Sequence, residues 1–289
     1  MPPYRVAQSQ GLSRDELEAI AALERRVVTH DGGRLKLEWG VLRSRPGGEV
    51  NDLLVWGPEG LVGFLGVYTF GAEPELAGAV DPAHRRRGVG SALLDGALQL
   101  VARRGDQTVL LVTPRTHGAG ASFALGKGAA LHHAEHHMEL TGSPPGPPPP
   151  RASTDGLVLR AASGADRPAV ERILEDAFGQ GAAWAVAADP GDAAFVAETG
   201  GRVVGTLRLA FDDGVAGIYG LAVQRELRGR GIGRAMLHGA CLEARRRGAD
   251  RVTLEVEVDN DRALGLYTSA GFERVATEDY FRLTVPGAR

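Results

Sequence analysis

Along the second half of the chain the spacing of hydrophobic and polar positions changes several times, and each change marks an element. Phe195–Glu198 and Val203–Leu209 read as strands around Thr199-Gly200-Gly201, which predicts a hairpin. Ile218–Val223 reads as a further strand. From Gly231 to Arg247, Ile232, Ala235, Met236, Gly239, Ala240 and Leu242 fall on or near one helical face, and Gly248 ends the run. Arg251–Val258 alternates strictly, Asp261–Ala270 reads as a helix, and Gly271 leads into a last strand near Tyr280–Val285. Upstream, Arg160–Phe178 reads as helical after a short strand, with Ser163 or Asp166 as cap and Pro168 in the first turn. A hairpin ahead of a strand–loop–helix unit gives an α/β or α+β class: a mixed, mostly antiparallel sheet flanked by helices.

The pattern is written twice. Arg85, Gly88 and Gly90 match Arg228, Gly231 and Gly233 at an offset of 143 residues, which also aligns Val80 with Val223, Leu111 with Leu254, Gly128 with Gly271 and Leu140 with Leu283. Val62-Gly63 and Val204-Gly205 match at 142, so one residue was gained or lost between. A register held this long means a duplicated fold. Between the copies, Thr141–Gly156 has six prolines and no apolar residue before Ala152, as a semi-rigid linker would. The expected layout is a first domain over 1–140, a linker over 141–156 and a second domain over 157–289.

Length and composition agree with two soluble domains: 289 residues, 43% hydrophobic and 24% charged, with 41 Gly and 16 Pro adding turns. A net charge of −3 gives no global attraction to nucleic acid or to an anionic membrane. No apolar run approaches the ~20 residues that span a bilayer. Met1–Gln10 lacks the basic flank and apolar core of a signal peptide, so a cytoplasmic location is expected. The single cysteine, Cys241, excludes an intrachain disulfide and sits at an apolar helix position, as a buried thiol would.

The candidate chemistry starts in the segment Leu221–Ala235, where a strand runs into a glycine-rich turn that opens a helix. Such a turn aims free N–H groups and the positive helix end at one point, an anion site. Gly229, Gly231 and Gly233 let a phosphate approach the backbone, and Arg228, Arg230 and Arg234 add charge. A Lys-Ser/Thr pair after the glycines is absent, as is the dinucleotide spacing Gly-x-Gly-x-x-Gly. What remains, Arg-x-x-Gly-x-Gly, resembles the acyl-CoA pyrophosphate motif of the GNAT acetyltransferases. The stretch Asn260, Ala263, Tyr267 and Gly271-Phe272 resembles the family's second signature. The resemblance covers most of residues 157–285 and implies two tandem GNAT folds that use acetyl-CoA and no metal. It further implies that Leu221 and Val223 line the pantetheine arm, that the Val223 N–H meets the thioester carbonyl, and that Asn260 and Tyr267 stand beside the thioester.

Acetyl transfer to an amine needs a base for the ammonium and an acid for the leaving thiolate. Tyr267 suits the acid, because a phenol of pKa near ~10 is protonated at pH 7. Alternation places Thr253, Glu255 and Glu257 on one face of their strand, and Glu255 is the candidate base. The Glu255-to-Tyr267 spacing is similar to that in ribosomal-protein alanine N-acetyltransferases. Tyr219 and Tyr280 are secondary candidates for substrate contact or for the core. The first copy keeps a possible second cofactor site at Val80, Arg85, Arg86, Arg87, Gly88 and Gly90. There Tyr267 maps to Ala124, Asn260 to His117, Glu255 to Val112 and Phe272 to Ala129, which implies a scaffold or a binding site without turnover.

His132, His133, His136 and His137 would suit zinc on a helix, but their repeat equivalents fall near the terminal hairpin, and no metal is expected. Arg103-Arg104 and Arg245-Arg246-Arg247 fit helix C-termini better than a nucleic-acid patch. The expected substrate is a primary amine of a small molecule or peptide, with acceptor identity set in loops such as Gly179–Gly191. The tandem layout is also similar to the mycothiol synthases, which acetylate a cysteinyl amine; Ile218 departs from them, standing where an acidic residue is expected. Two non-catalytic readings, an acetyl-CoA sensor and a pseudoenzyme, are opposed by Tyr267 and Asn260 in the second copy.

Overall fold

A computed structural model describes residues 4–142, 156–179 and 192–287. Most of the proline-rich linker and of the loop Gly179–Gly191 lies outside the described residues. In chain order the elements are β1 (Val6–Ser9), α1 (Arg14–Asp31), α2 (Trp39–Ser44), β2 (Asp52–Gly57), β3 (Gly60–Tyr68), β4 (Glu75–Val80), α3 (Val89–Arg104), β5 (Thr108–Pro114), α4 (Gly118–Gly126) and β6 (Ala130–Leu140). They continue as β7 (Val158–Ala161), α5 (Arg167–Phe178), β8 (Ala193–Thr199), β9 (Arg202–Asp212), β10 (Val215–Val223), α6 (Ile232–Arg246), β11 (Arg251–Glu257), α7 (Asp261–Ser269) and β12 (Glu273–Thr284). Among the described residues no helix is long and apolar enough to cross a membrane.

The chain forms two compact units: one takes the residues up to Ala134 and again from Ala276, the other takes Glu135–Val275. Strand order in the first is β1-β2-β3-β4-β5-β12, and in the second β6-β11-β10-β9-β8-β7. Each has one parallel pair, β4/β5 or β10/β11, among antiparallel neighbours. The expected last strand, Tyr280–Val285, therefore completes the first unit, where it pairs with β5, and not the copy that precedes it. In return, Glu135–Leu140 of β6 pairs with β11 in the second unit. Burial fixes both strands: Phe281 and Val285 are 4% and 1% exposed in the first core, Met138 and Leu140 2% and 3% in the second.

Local chemistry explains the element boundaries. The helix expected from Arg160 starts only at Arg167, because Arg160 stays in β7 with its guanidinium on Asp166 and Glu198. Ser163 donates both its N–H and its hydroxyl to the Asp166 carboxylate at 2.8 Å, capping the turn before α5. Arg160 and these Ser163 bonds hold the Asp166 carboxyl well below the usual range. Gly200 and Gly201, at φ 56° and 74°, supply the left-handed pair that a tight hairpin turn requires. On α6 the buried stripe is Ile232, Met236, Leu237, Ala240, Cys241 and Ala244. Leu242, expected near that face, is 49% exposed, since it lies about 200° around the helix from Ala240. Burial pushes the Cys241 thiol up to about 12.

The repeated Val-Gly pair also has a physical reason. A Cβ on Gly63 would stand 2.6 Å from Val89 Cγ1, and one on Gly205 2.6 Å from Met236 Sδ, so glycine lets α3 and α6 lie against their sheets. At the ends of these helices, Arg104 donates to Val50 O and Asn51, Arg245 to Ala249 O and Gly142 O, and Arg246 and Arg247 grip Glu243. Because β6 completes the second unit, a fragment 135–275 should unfold cooperatively in denaturant, whereas 157–289, lacking β6, should not. Equal cooperativity of the two fragments would contradict the exchange.

Candidate active site

In the second unit β10 and β11 pair only from Val215 with Arg251 to Ile218 with Leu254. Beyond that point β10 continues to Val223 and β11 to Glu257, so the strands part and leave a wedge. The pairing of β10 with β9 shifts register between Tyr219 and Ala222, with Gly220 at φ 58°. Such a bulge bends the strand away from its neighbour.

At the wide end of the wedge the chain turns into α6. Gln224 N–H donates to Val204 O at 2.9 Å, and a short 3-10 turn over Arg225–Leu227 follows. Gly229 at φ 80° and Gly231 at φ 91° then start the helix. Among the described residues the N–H groups of Gly229, Gly231, Ile232 and Gly233 have no backbone acceptor. A helix N-terminus with such donors is built for an anion. Arg228 clamps the turn rather than reaching out of it: Nε donates to Val223 O at 2.9 Å and Nη2 to Asp176 Oδ2 at 2.8 Å. Arg234 reaches Ser269 Oγ at 2.7 Å on α7, and Arg230 is exposed. Arg262, a cation the motif did not flag, comes within 3.2 Å of where a Cβ on Gly229 would stand. A Cβ on Gly233 would face Leu266 at 3.6 Å and Val223 at 3.8 Å, narrowing the space between the turn and α7.

The first unit repeats the cradle. Asp81 N–H donates to Val62 O, Arg85 Nε to Val80 O, and Gly88 has φ 91°. Arg85 grips Asp31 of α1 in a bidentate pair, where Arg228 makes a single bond to Asp176 of α5. Arg86 and Arg87 are exposed, and Arg86 adopts φ 60° at the position matching Gly229.

Tyr267 lies in the second core, 8% exposed, with its ring centroid 6.1 Å from that of Phe272. Burial pushes its phenol up to about 12, so it keeps its proton through the neutral range. Asn260 caps α7, its Oδ1 accepting from Ala263 N–H at 3.1 Å. His117 takes the cap position of α4, its Nδ1 accepting from Ala119 N–H at 3.4 Å, so the Asn-to-His difference between copies keeps a cap with a different partner.

The α5 side of the second sheet collects the polar groups. Thr253, Glu255 and Glu257 alternate there against Leu254 and Val256 in the core, and Glu255 pairs across to His137 of β6, with Nδ1 and Oε1 3.7 Å apart. Tyr219 packs over Gly217 on this side, and the Arg208 guanidinium lies 4.7 Å from its ring centroid and pairs with Asp192. Ile218 points the other way into the core at 4% exposure, so the missing acidic residue does not remove a group from the polar side. Tyr280, a candidate for substrate contact, is instead 1% exposed in the core of the first unit.

Two family models match the chain: the acetyltransferase (GNAT) family over residues 163–272 and an acetyltransferase (GNAT) domain over 51–123. A mycothiol acetyltransferase of Clavibacter sepedonicus is 33% identical over 234 residues, 73% of each chain. The chain belongs to the GNAT acetyltransferase family. Another mycothiol acetyltransferase, from Beutenbergia cavernae, is 31% identical over 286 residues, covering 89% of this chain and 92% of its own. The fold of this GNAT protein matches a GCN5-related N-acetyltransferase from Sphaerobacter thermophilus with a TM-score of 0.78 at 22% identity, covering 99% and 97% of the two chains. As a member of the family it is an acyl-CoA-dependent N-acetyltransferase, moving an acetyl group from acetyl-CoA to an amine.

Of the remaining histidines His132 and His133 meet, with their Nδ1 atoms 2.6 Å apart, and among the described residues no group of three or more His, Cys, Asp or Glu side chains could hold a metal ion. His133 stacks on Tyr280 in the first unit, and burial lowers it to about 4. Sequence reasoning missed Arg262 and the pairing of His137, because neither lies in a motif. The left-handed Arg86 gives a test. Arg86→Gly should raise unfolding stability by about 0.5–1 kcal/mol, removing a left-handed penalty of about 1–2 kcal/mol against the entropy of a new glycine. Denaturant midpoints measure it, and a lower midpoint would contradict the conformation.

Proposed function

We propose that acetyl transfer takes place in the second unit, with Tyr267 as acid, Glu255 as base and a primary amine of a small molecule as acceptor. The observation that carries this reading is the difference between the α-helical sides of the two sheets. In the first unit Leu110, Val112, Ala77 and Tyr280 are buried under α1 and α2, with the Tyr280 hydroxyl accepting from Lys36 Nζ. In the second unit the positions matching Leu110 and Val112 are the polar Thr253 and Glu255, and the Glu255 side chain keeps 23% of its surface exposed.

Bound acetyl-CoA supplies an acetyl thioester, and its diphosphate suits the free N–H groups at Gly229, Gly231, Ile232 and Gly233. Arg230 and Arg262 add positive charge there, Arg234 braces the helix start against α7, and Arg228 holds the turn in shape. Leu221 and Val223, at the edge of the core, border the pantetheine arm. Asn260 sets the start of α7 and thereby the placement of Tyr267. The Glu255 carboxylate takes a proton from the ammonium form of the acceptor, leaving a neutral amine to attack. The Tyr267 hydroxyl gives its proton to the departing sulfur. The first unit keeps a cradle around Val80, Arg85, Arg87, Gly88 and Gly90 without acid or base, and serves as a scaffold.

Full-length similarity to proteins named mycothiol acetyltransferase favours a second, narrower reading, in which the amine is that of a mycothiol precursor. Thiol release from acetyl-CoA with a panel of amines, a cysteinyl glycoside among them, separates the two. Tyr267→Phe should lower turnover about 100-fold, within the usual range for general acid catalysis, with the acetyl-CoA KM changed less than about twofold. Unchanged turnover would remove Tyr267 from the mechanism.

A further inference from the structure

The strand that faces Glu255 comes from the sequence ahead of the linker, and it brings a histidine. His137 lies directly across from Glu255 in the β6/β11 register, with its side chain 12% exposed. Its Nδ1 is buried, has no hydrogen-bond partner among the described residues, and stands 3.7 Å from Glu255 Oε1. On the same face of β6, Glu139 pairs with Arg251 at 3.1 Å, and Glu135 lies opposite Glu257.

The first unit shows what the position is when no chemistry is asked of it. There β12 takes the place of β6 and β5 that of β11, and the pair across the same two strands is Tyr280 with Val112. Both are buried in the apolar cluster under α1 and α2. A buried Tyr–Val pair at one site, its phenol held by Lys36 Nζ, and a carboxylate–imidazole pair at its twin is a difference that packing alone does not require. A buried imidazole nitrogen facing a carboxylate also costs stability unless a proton or a hydrogen bond is shared between them.

We infer that His137 is a positioning residue for Glu255 and the next carrier of its proton, an inference that rests on Glu255 being the base. Glu255 Oε1 takes a proton from the acceptor's ammonium and passes it to His137 Nδ1. The imidazolium then releases the Nε2 proton to solvent, and exchange with solvent returns the ring to its Nε2–H tautomer, which restores the Nδ1 lone pair and leaves Glu255 ionised for the next turnover. No oxidant or further reactant is involved.

The test is a double-mutant cycle in the full-length protein, read as thiol release with the best amine of the panel. His137→Phe keeps a ring of similar shape and should lower kcat about 10- to 100-fold, with the acetyl-CoA KM unchanged within about twofold. In a Glu255→Gln background the same substitution should have no further effect. Added imidazole should restore part of the lost turnover to His137→Gly, which a purely structural role would not allow. Full activity in His137→Phe, or an effect that multiplies independently of Glu255→Gln, would overturn the inference. Full activity in Glu255→Gln alone would instead show that the base assignment has failed. If His137→Phe does not fold, His137→Gln with an unchanged Tm takes its place in the cycle, and undiminished kcat in that variant overturns the inference equally.

Discussion

Two parallel strands that are paired at one end and apart at the other shape the second unit. Pairing of β10 with β11 stops at Ile218 and Leu254, and the bulge at Gly220 turns β10 away. The parting strand delivers its end to the turn at Gly229–Gly231, whose N–H groups open the anion site. The other strand continues to Glu255, whose side chain leaves the core on the α5 side. The placement of Glu255 and of the turn at Gly229–Gly231 thus depends on one interruption of a hydrogen-bond ladder, because a fully paired sheet would have spent those backbone groups on its neighbour.

The two units show the same frame filled in two ways. Both part their parallel strands, both clamp the turn with an arginine on a strand carbonyl and a helix aspartate, and both start the following helix from a glycine at φ 91°. They differ in what fills the sheet. In the first unit, Tyr280 and Val112 close the face under α1 and α2, and Ala124 stands where the second has Tyr267. The strands that complete the units are exchanged, so β6, which belongs to the first copy in sequence, is part of the second unit. Glu255 therefore faces a residue encoded ahead of the linker.

Much of this was legible in the sequence. The fixed register of the repeat revealed the duplication, glycine spacing located the turn, and strict alternation put Glu255 and Glu257 on a common face. The strand exchange was not legible, since β6 and β12 carry the same pattern in the same register and either would satisfy β5 or β11 by hydrophobicity alone. Periodicity also does not say where a ladder stops, so the wedge was invisible. The start of α5 depended on Arg160 bridging Asp166, six residues on, to Glu198, 38 residues on. His137 read as one of four neighbouring histidines because its partner is 118 residues further along the chain.

Catalysis by the second unit is tested most directly by matched lesions in the two cradles. Gly88 and Gly231 have the same φ of 91°, so a β-branched side chain strains both alike. Turnover of Gly88→Val and Gly231→Val should be compared with an active amine. The account predicts that Gly231→Val loses about 100-fold or more, while Gly88→Val stays within about twofold of the natural protein. Loss of turnover in Gly88→Val with retention in Gly231→Val would contradict it.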